Sequence, residues 1–269
     1  MFRLAQKGPV QFFEAKELAE LGFVVHAFCT RRSGVSQGEF ASLNVGDLVG
    51  DKESSIIQNL NIIKDSFAIP ADGLVMLRQM HGDRIIEIEE NDLFPLTVKE
   101  ADGLITSRSG IAICIKTADC VPLLFVDRRL KVIGAVHAGW RGTALKIAAK
   151  MAGIFSERFS SRSGDIMVFI GPAIGPCCYE VDFPVFEAFS AIEGMEKFFS
   201  KRERKDRWAF DLLNTNRFQL IKKGIPADNI YVADICTSCR QDLFYSHRAA
   251  KGHKEGRQLS FIMLEEPLK

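Results

Sequence analysis

Three residues that are far apart in the chain have metal-ligand chemistry and a shared local context. His81, Cys120 and His137 each lie in a short polar segment at the end of an apolar run, in the sequences QMHGD, TADC and VHAGW. Two imidazoles and one thiolate suit zinc, and three protein ligands leave a fourth position open for water. Each residue taken singly fits an ordinary buried role, but the shared context predicts an open zinc site.

A thiol nucleophile is the main alternative at the same place. Cys120 and His137 could form a Cys–His pair, with Asp119 orienting the imidazole. Both chemistries need a thiolate beside an imidazole, so the sequence leaves them open. In either case Cys120 and Asp119 are candidate catalytic residues, and Asp119 or Asp83 could move a proton.

The segment after His137, GWRGT, predicts a place for an anion. A turn that leads into a helix presents free backbone N–H groups, and Arg141 adds a guanidinium suited to phosphate or carboxylate. Arg141 is therefore both a catalytic and a substrate-binding candidate. A tight turn with a solvated Arg141 explains the same pattern equally well.

Other polar segments offer weaker substrate contacts. The loop over residues 30–46 is rich in small polar residues and could wrap a substrate through Arg31 and Asn44. Near the C-terminus, Arg248 and Arg257 could hold an anion. Exposed loops have the same composition, so these patterns are nonspecific.

The chain has seven cysteines, so at least one thiol is unpaired within a monomer. Cys236 and Cys239 form a Cys-x-x-Cys pair, which would need two more ligands to hold a metal. Cys177 and Cys178 are the obvious candidates, but adjacent cysteines rarely point at one ion. We interpret these four as incidental thiols.

Bulk properties limit the classes of function. The net charge of +1 gives no electrostatic case for nucleic acid or an acidic membrane surface. The first residues lack the features of a signal peptide, and no apolar stretch is long enough to span a bilayer. We expect a cytoplasmic protein with reduced cysteines, and 269 residues without a linker or repeat predict one catalytic domain over 1–269.

Short apolar runs alternate with amphipathic stretches, and hairpins occur beside crossovers, which favours an α+β fold. Strands are predicted over Val24–Phe28, Leu74–Met80, Arg84–Glu89, Gly110–Lys116, Val121–Val126, Lys131–Val136, Asp165–Ile170 and Ile230–Ile235. Helices are predicted over Lys52–Phe67, Ala144–Phe155, Phe183–Phe189 and Leu212–Lys222. In the first helix Ile56, Ile57, Leu60 and Ile63 have the spacing of one apolar face.

Nine ordered segments carry a family resemblance. They are FCTRRSGVS, SLNVGDLVGD, RQMHGD, ADGLIT, KTADCVPLLFVD, GAVHAGWRGT, FIGPAIGPCCYEV, DICTSC and FYSHRAAKGHKEGR. From Phe28 to the C-terminus the chain resembles the bacterial family labelled multicopper polyphenol oxidoreductase (laccase). Its members are described as zinc-dependent purine nucleoside phosphorylases with adenosine deaminase activity, and some as peptidoglycan editing factors.

The resemblance implies that His81, Cys120 and His137 are zinc ligands and that the fold is a mixed β-sandwich surrounded by helices. It implies that the small-molecule substrates are phosphate and purine nucleosides, the latter being adenosine, inosine and methylthioadenosine. The chain departs from the family pattern at Ser33, His247, Ala249 and Cys239, all outside the ligands.

Other functions remain as alternatives. A peptidoglycan-precursor amidase could use the same zinc or Cys120. A copper laccase would need roughly ten imidazoles, and this chain has five histidines, so copper is disfavoured. A binding protein with structural zinc would normally supply four ligands, and only three can be named.

Overall fold

Fifteen strands are assigned in the computed structural model, which describes residues 1–89 and 99–266. They are β1 Phe2–Lys7, β2 Val10–Ala15, β3 Val24–Cys29, β4 Leu74–Val75, β5 Ile85–Ile88, β6 Gly103–Thr106, β7 Ala112–Thr117, β8 Val121–Asp127, β9 Val132–Ala138, β10 Ile166–Ile170, β11 Glu180–Asp182, β12 Phe199–Lys201, β13 Arg207–Phe210, β14 Ile230–Val232 and β15 Gln258–Leu264. The helices are α1 Lys16–Ala19, α2 Glu53–Phe67, α3 Trp140–Ala144, α4 Ile147–Phe159, α5 Phe183–Ser190, α6 Leu212–Lys222 and α7 His247–Ala250.

Two six-stranded sheets form the centre. The first has the order β1-β2-β3-β15-β7-β4, and the second has the order β14-β10-β8-β9-β6-β5. Most neighbours are antiparallel, while β4 with β7, β5 with β6 and β10 with β14 are parallel pairs. A separate three-stranded sheet has the order β11-β13-β12.

The two large sheets pack face to face. In β8, Leu124 belongs to the core shared with β15 of the first sheet, where it clusters with Ile262. The next residue, Phe125, points to the opposite face and stacks on Phe155 of α4 with ring centroids 6.0 Å apart. Every residue of β8 and β9 is buried, which explains their continuous apolar runs. The strands that carry the site are therefore held on both faces.

Helix α2 covers the outer face of the first sheet. Its Phe67 ring packs edge-on against Phe12 and Phe261, each at 5.0 Å between centroids. Ile56 and Ile63 are buried on the same side, as the spacing predicts. The expectation for Ile57 was wrong: it is 52% exposed, because the face that meets the sheet is narrower than the apolar stripe.

The predicted α+β sandwich with surrounding helices is confirmed, and several boundaries need correction. The helix expected over Ala144–Phe155 is two helices, since Lys146 adopts a left-handed backbone with φ of 61° between α3 and α4. The strands expected over Leu74–Met80 and Arg84–Glu89 shrink to β4 and β5, which join different sheets. Among the described residues no helix is long and apolar enough to cross a membrane.

Candidate active site

The β8–β9 hairpin brings two of the predicted ligands to one end of the second sheet. Val121 pairs with Ala138 and Pro122 with His137. Cys120 comes directly before β8, so the register carries its thiol to the end of β9 where His137 lies. Antiparallel pairing of the two strands therefore brings Cys120 next to His137, although they are seventeen residues apart in the sequence.

A buried aspartate that sequence reasoning missed connects these residues to the third ligand. Asp102 precedes β6, which pairs with β9. Its carboxylate accepts hydrogen bonds from the backbone N–H groups of Met80 at 3.1 Å, His81 at 2.9 Å and Gly82 at 2.7 Å. The same carboxylate is 2.8 Å from Nδ1 of His137. Asp102 thus holds both the His81 loop and the His137 ring.

The backbone around the site is constrained. His81 has a φ of 59°, in the left-handed region that non-glycine residues seldom adopt, and its N–H bond to Asp102 helps to hold it there. Gly139 packs closely against the ligands: a Cβ at that position would lie 3.1 Å from the Cys120 sulfur and 3.1 Å from Cδ2 of His81. The turn after His137 therefore suits a residue without a side chain.

One ligand atom from each of His81, Cys120 and His137 lies within 4.8 Å of the other two. The histidine rings meet edge-on, at 81° and 4.8 Å between centroids. With Nδ1 of His137 engaged by Asp102, Nε2 is the nitrogen free to bind a metal, and such a carboxylate partner is usual for ligating histidines. His137 is buried and His81 exposed, so the cluster opens to one side. The donor set fits a metal site with three protein ligands.

The electrostatics of the cluster favour a charged thiolate. Burial raises the pKa of Cys120, but the charge of His137 and hydrogen bonds from both histidines outweigh burial and lower it to about 6. Burial lowers the pKa of His137, yet the Cys120 thiolate and the Asp102 hydrogen bond raise it to about 9. For Asp102, burial opposes ionisation and the His137 hydrogen bond overcomes it, so its pKa lies below the usual value. A thiolate is the form needed by both a metal ligand and a nucleophile.

A cavity of about 550 Å³ opens directly on the three residues. Its aromatic and apolar walls include Trp140, Tyr179, Ile174 and Leu212. This volume lies within the usual range for small-molecule sites, roughly 300–1,000 Å³.

The cations that line the cavity differ in how they are neutralised. Three of them form ion pairs: Arg78 with Glu100, Lys116 with Asp47 and Arg257 with Glu255. Arg141 has no carboxylate within ion-pair distance among residues 1–89 and 99–266; its guanidinium stacks on Trp140 at 4.4 Å. Arg248 donates to the Glu180 carbonyl at 2.6 Å and lies 5.2 Å from the Tyr179 ring. Arg141 and Arg248 therefore keep positive charge for an anion.

Asp119 lines the cavity, but its carboxylate does not hold His137. It accepts hydrogen bonds from Thr237 Oγ1 at 2.6 Å, Ser246 Oγ at 3.0 Å and the Arg248 backbone N–H at 2.7 Å. The expectation that Asp119 orients the imidazole is corrected, because Asp102 occupies that position. The role of Asp119 in catalysis stays a prediction. In the structure its carboxylate anchors the segment that carries Arg248.

Arg31 and Asn44 are not among the residues that line the cavity. Arg31 donates to the Ala41 carbonyl at 2.7 Å and lies over the Tyr245 ring at 4.3 Å. Asn44 is fully buried, and its side-chain oxygen accepts from the Arg257 backbone N–H at 2.8 Å. Their polar groups shape the loop and support the cavity edge at Arg257, and their role in substrate binding stays a prediction.

Sequence reasoning missed Asp102 and Tyr179 as site residues. Both lie inside segments that carried the family resemblance, ADGLIT and GPCCYEV, so motif membership was the available signal. Burial raises the pKa of Tyr179, and the nearby Cys120 thiolate raises it further, so the phenol stays protonated beside the cluster.

The chain is similar to several known proteins over most of its length. A family model described as multi-copper polyphenol oxidoreductase laccase matches residues 25–265. A relative named purine nucleoside phosphorylase YlmD, from Geobacillus stearothermophilus, is 39% identical over 245 residues, covering 88% of this chain and 89% of the relative. Adenosine deaminase RL5, from an unknown prokaryotic organism, is 31% identical over 259 residues, covering 91% of this chain and 98% of the relative.

Solved structures give the same picture. The crystal structure of a hypothetical protein, YfiH from Bacillus licheniformis, superposes with a TM-score of 0.90 at 36% identity. The match covers 98% of this chain and 99% of that one. The overall arrangement of sheets and helices is therefore that of the matched protein.

Proposed function

The chain belongs to the multi-copper polyphenol oxidoreductase laccase family, as its motifs predicted, and we propose that it is a zinc-dependent purine nucleoside phosphorylase with adenosine deaminase activity. Adenosine and inosine are the proposed nucleosides, with methylthioadenosine as a further substrate. The names of the relatives support an enzyme that acts on small molecules. The observation that carries the proposal is the open three-ligand cluster, which lines the same cavity as the guanidinium of Arg141.

Zinc is the proposed metal because the donor set is two imidazoles and one thiolate. A bound zinc would supply a Lewis acid and lower the pKa of water to about 7. The chain has too few histidine ligands for copper clusters of the laccase type. Of the remaining histidines, His26 is buried in β3, His247 pairs with Glu255, and His253 is exposed. None of these three joins the cluster.

The chain's own residues supply binding and orientation. The Asp102 carboxylate accepts a hydrogen bond from Nδ1–H of His137 and so leaves Nε2 as the nitrogen free for a metal. Trp140 and Tyr179 offer flat surfaces for a purine. Arg141 and Arg248 would hold phosphate, whose attack on the glycosidic carbon releases the free base and leaves the sugar phosphorylated. In this proposal the base contacts Trp140 and Tyr179, and the anion contacts the arginine beside each ring.

An amidase that uses Cys120 as nucleophile is the second candidate. The observation that favours it is the pKa of about 6 at Cys120 beside a charged His137. It gives no special role to the free charge of Arg141. We rank it below the purine chemistry for that reason.

A direct assay separates these candidates. Protein of known metal content is incubated with adenosine, with and without phosphate, and the products are resolved chromatographically. Adenine that forms only with phosphate supports phosphorolysis, and inosine in either buffer supports deamination. Absence of both products from zinc-loaded protein would overturn the proposal and favour the amidase.

We also propose a cytoplasmic, reducing location for the protein. None of its seven cysteines forms a disulfide in the structure, which supports that proposal.

A further inference from the structure

A second group of metal-ligating side chains lies outside the three-ligand cluster. Cys177, Cys178, Cys236 and Cys239 come from two segments about sixty residues apart, yet all four sulfurs lie within 4.8 Å of one another. The sequence analysis interpreted these thiols as incidental. We propose that they form a tetrathiolate site for a structural zinc ion, separate from the catalytic metal and independent of the purine chemistry.

The sulfur separations fit one ion better than a covalent bridge. Zinc–sulfur bonds of roughly 2.3 Å in a tetrahedron require sulfurs about 3.8 Å apart. Cys239 lies 3.4 Å from the Cys178 sulfur and 3.6 Å from the Cys177 sulfur. A disulfide would need about 2.05 Å. Four mutually close thiols also match the closed, four-ligand pattern of structural zinc.

Two tight turns make this convergence possible. The backbone N–H groups of Cys178 and Tyr179 both donate to the Gly175 carbonyl at 3.0 Å, which curls the chain so that adjacent cysteines point to one side. On the other segment, Arg240 N–H donates to the Cys236 carbonyl at 3.1 Å and closes the Cys-x-x-Cys turn. This local curvature is why the objection to adjacent cysteines does not apply here.

The surroundings suit a negatively charged metal–thiolate group. The Gly175 N–H donates to the Cys236 sulfur at 3.3 Å. The Arg202 guanidinium donates to the Pro176 carbonyl at 2.9 Å and to the Cys177 carbonyl at 3.4 Å, and Arg248 donates to the Cys178 carbonyl at 3.4 Å. An N–H donor on one sulfur and two guanidinium groups on the adjoining backbone favour thiolates, which are the forms that bind metal.

The site would clamp two walls of the catalytic cavity together. The first turn leads to Tyr179, and the second leads to Arg248, both of which line the cavity. Thr237, between the two cysteines of the second turn, donates to Asp119 beside Cys120. A structural ion here would hold Arg248 and Tyr179 in register with the catalytic cluster.

Metal counting on the full-length protein tests the proposal. We expect about two zinc ions per wild-type chain by elemental analysis and native mass spectrometry, because each cluster holds one. The double variant Cys236→Ser/Cys239→Ser should retain about one, and so should His81→Ala. The control variant Ser238→Ala changes a residue of the same turn that has no sulfur, so it should retain both zinc ions. X-ray absorption at the zinc edge of His81→Ala should show sulfur ligands only.

Opposite outcomes are equally distinct. One zinc per wild-type chain, with the four cysteines alkylated at the same rate with and without chelator, would overturn the site. So would a disulfide among them in the purified protein, or iron in place of zinc. If the double variant does not fold, the wild-type stoichiometry and the absorption spectrum of His81→Ala still decide. Failure of the purine assay would leave this test unaffected, since it reads metal and not turnover.

Discussion

Asp102 has the densest set of contacts among the individual residues of the site. Its carboxylate takes three backbone N–H groups of the His81 loop and Nδ1 of His137, and its carbonyl accepts the His137 N–H at 2.8 Å. The side chain is fully buried, so these partners replace all of its hydration. In the proposed metal site it would act through two ligands, by holding the His81 loop and the His137 ring.

The substitution Asp102→Asn tests this positioning role. The amide keeps the size but brings N–H donors to a place where the partners are themselves donors, so the His81 loop and His137 ring lose their common acceptor. We expect zinc affinity to fall by about ten- to a hundredfold, measured by competition with a chromophoric chelator. Exposed Asp72→Asn should behave as wild type. Equal affinity in both variants would contradict the role.

Arg141 carries the anion-binding part of the proposal. Removing its guanidinium should weaken phosphate binding and leave the deamination of adenosine nearly unchanged, since that reaction needs no phosphate. For Arg141→Ala we expect the KM for phosphate to rise by about ten- to a hundredfold, the range of one charge-assisted hydrogen bond. Steady-state kinetics at varied phosphate measure it, with the exposed Arg162→Ala as control. An unchanged KM would move the clamp to Arg248 or Arg257.

The sequence identified side chains by chemical type and missed those defined by contact. The grouping of His81, Cys120 and His137 could be predicted because candidate metal ligands belong to few residue types, and the structure brings the three together. Asp102 could not, since nothing in the local sequence says that three backbone N–H groups will meet its carboxylate. Arg31 and Asn44 lie away from the lining of the cavity, because polar residues in a loop serve the loop as often as a substrate.

At the scale of elements, the central hairpin was the most predictable part. The runs Val121–Val126 and Lys131–Val136 reappear as β8 and β9, because strands buried on both faces must be continuously apolar. The short β4 and β5 were overpredicted, since their lengths depend on partner strands that the sequence does not reveal. The convergence of the four cysteines was likewise missed, because it depends on two turns from separate segments.

His26 gives strand β3 a pH-dependent contact. Its Nε2 accepts the Ala15 backbone N–H at 2.9 Å, and burial lowers its pKa from 6.5 to about 3. Between these values the unfolded chain is protonated and the folded chain is not. The stabilising contribution is therefore complete above pH 6.5 and declines as the pH falls, by about 1.4 kcal/mol per pH unit.

The variant His26→Gln isolates that contribution. Glutamine can accept from the same N–H and does not titrate. We expect the free energy of unfolding of metal-free wild type to fall about 2 kcal/mol more than that of the variant between pH 7 and 5. Denaturant titrations at several pH values measure the difference. Exposed His253→Gln should follow the wild type; parallel pH curves for His26→Gln and wild type would contradict the buried neutral histidine.

At the scale of the molecule, the described residues form a set of layers, with the cluster of His81, Cys120 and His137 at the end of strands β8 and β9. Helix α2, the first sheet, the second sheet and helices α4 and α6 each bury a face against the next, through three apolar clusters. The alternation of apolar runs and amphipathic stretches predicted an α+β fold. The sandwich came from the family resemblance, because long-range strand order, such as β15 between β3 and β7, leaves no local signal.

Seven free thiols report on separate parts of this architecture. Cys29 and Cys114 lie in the first sheet, where burial raises the pKa of Cys29 to about 12 and also raises that of Cys114. Cys120 lies in the cluster with His81 and His137. A metal bound there and an alkylating reagent would compete for its sulfur. We expect an alkylating reagent to modify Cys120 slowly in zinc-loaded protein and rapidly after chelation, as identified by peptide mapping. Cys29 and Cys114 should stay protected in both states until denaturant is added.

The two protected cysteines are the control that makes this experiment specific. The apolar clusters lie in the layers and not at the proposed metal sites, so chelation should expose Cys120 and leave the sandwich intact. Labelling of Cys29 or Cys114 on chelation alone would show that the bound metal ions hold the whole fold. Rapid labelling of Cys120 in zinc-loaded, active protein would overturn its role as a ligand and favour a cysteine nucleophile paired with His137, because a bound thiolate cannot serve metal and reagent together.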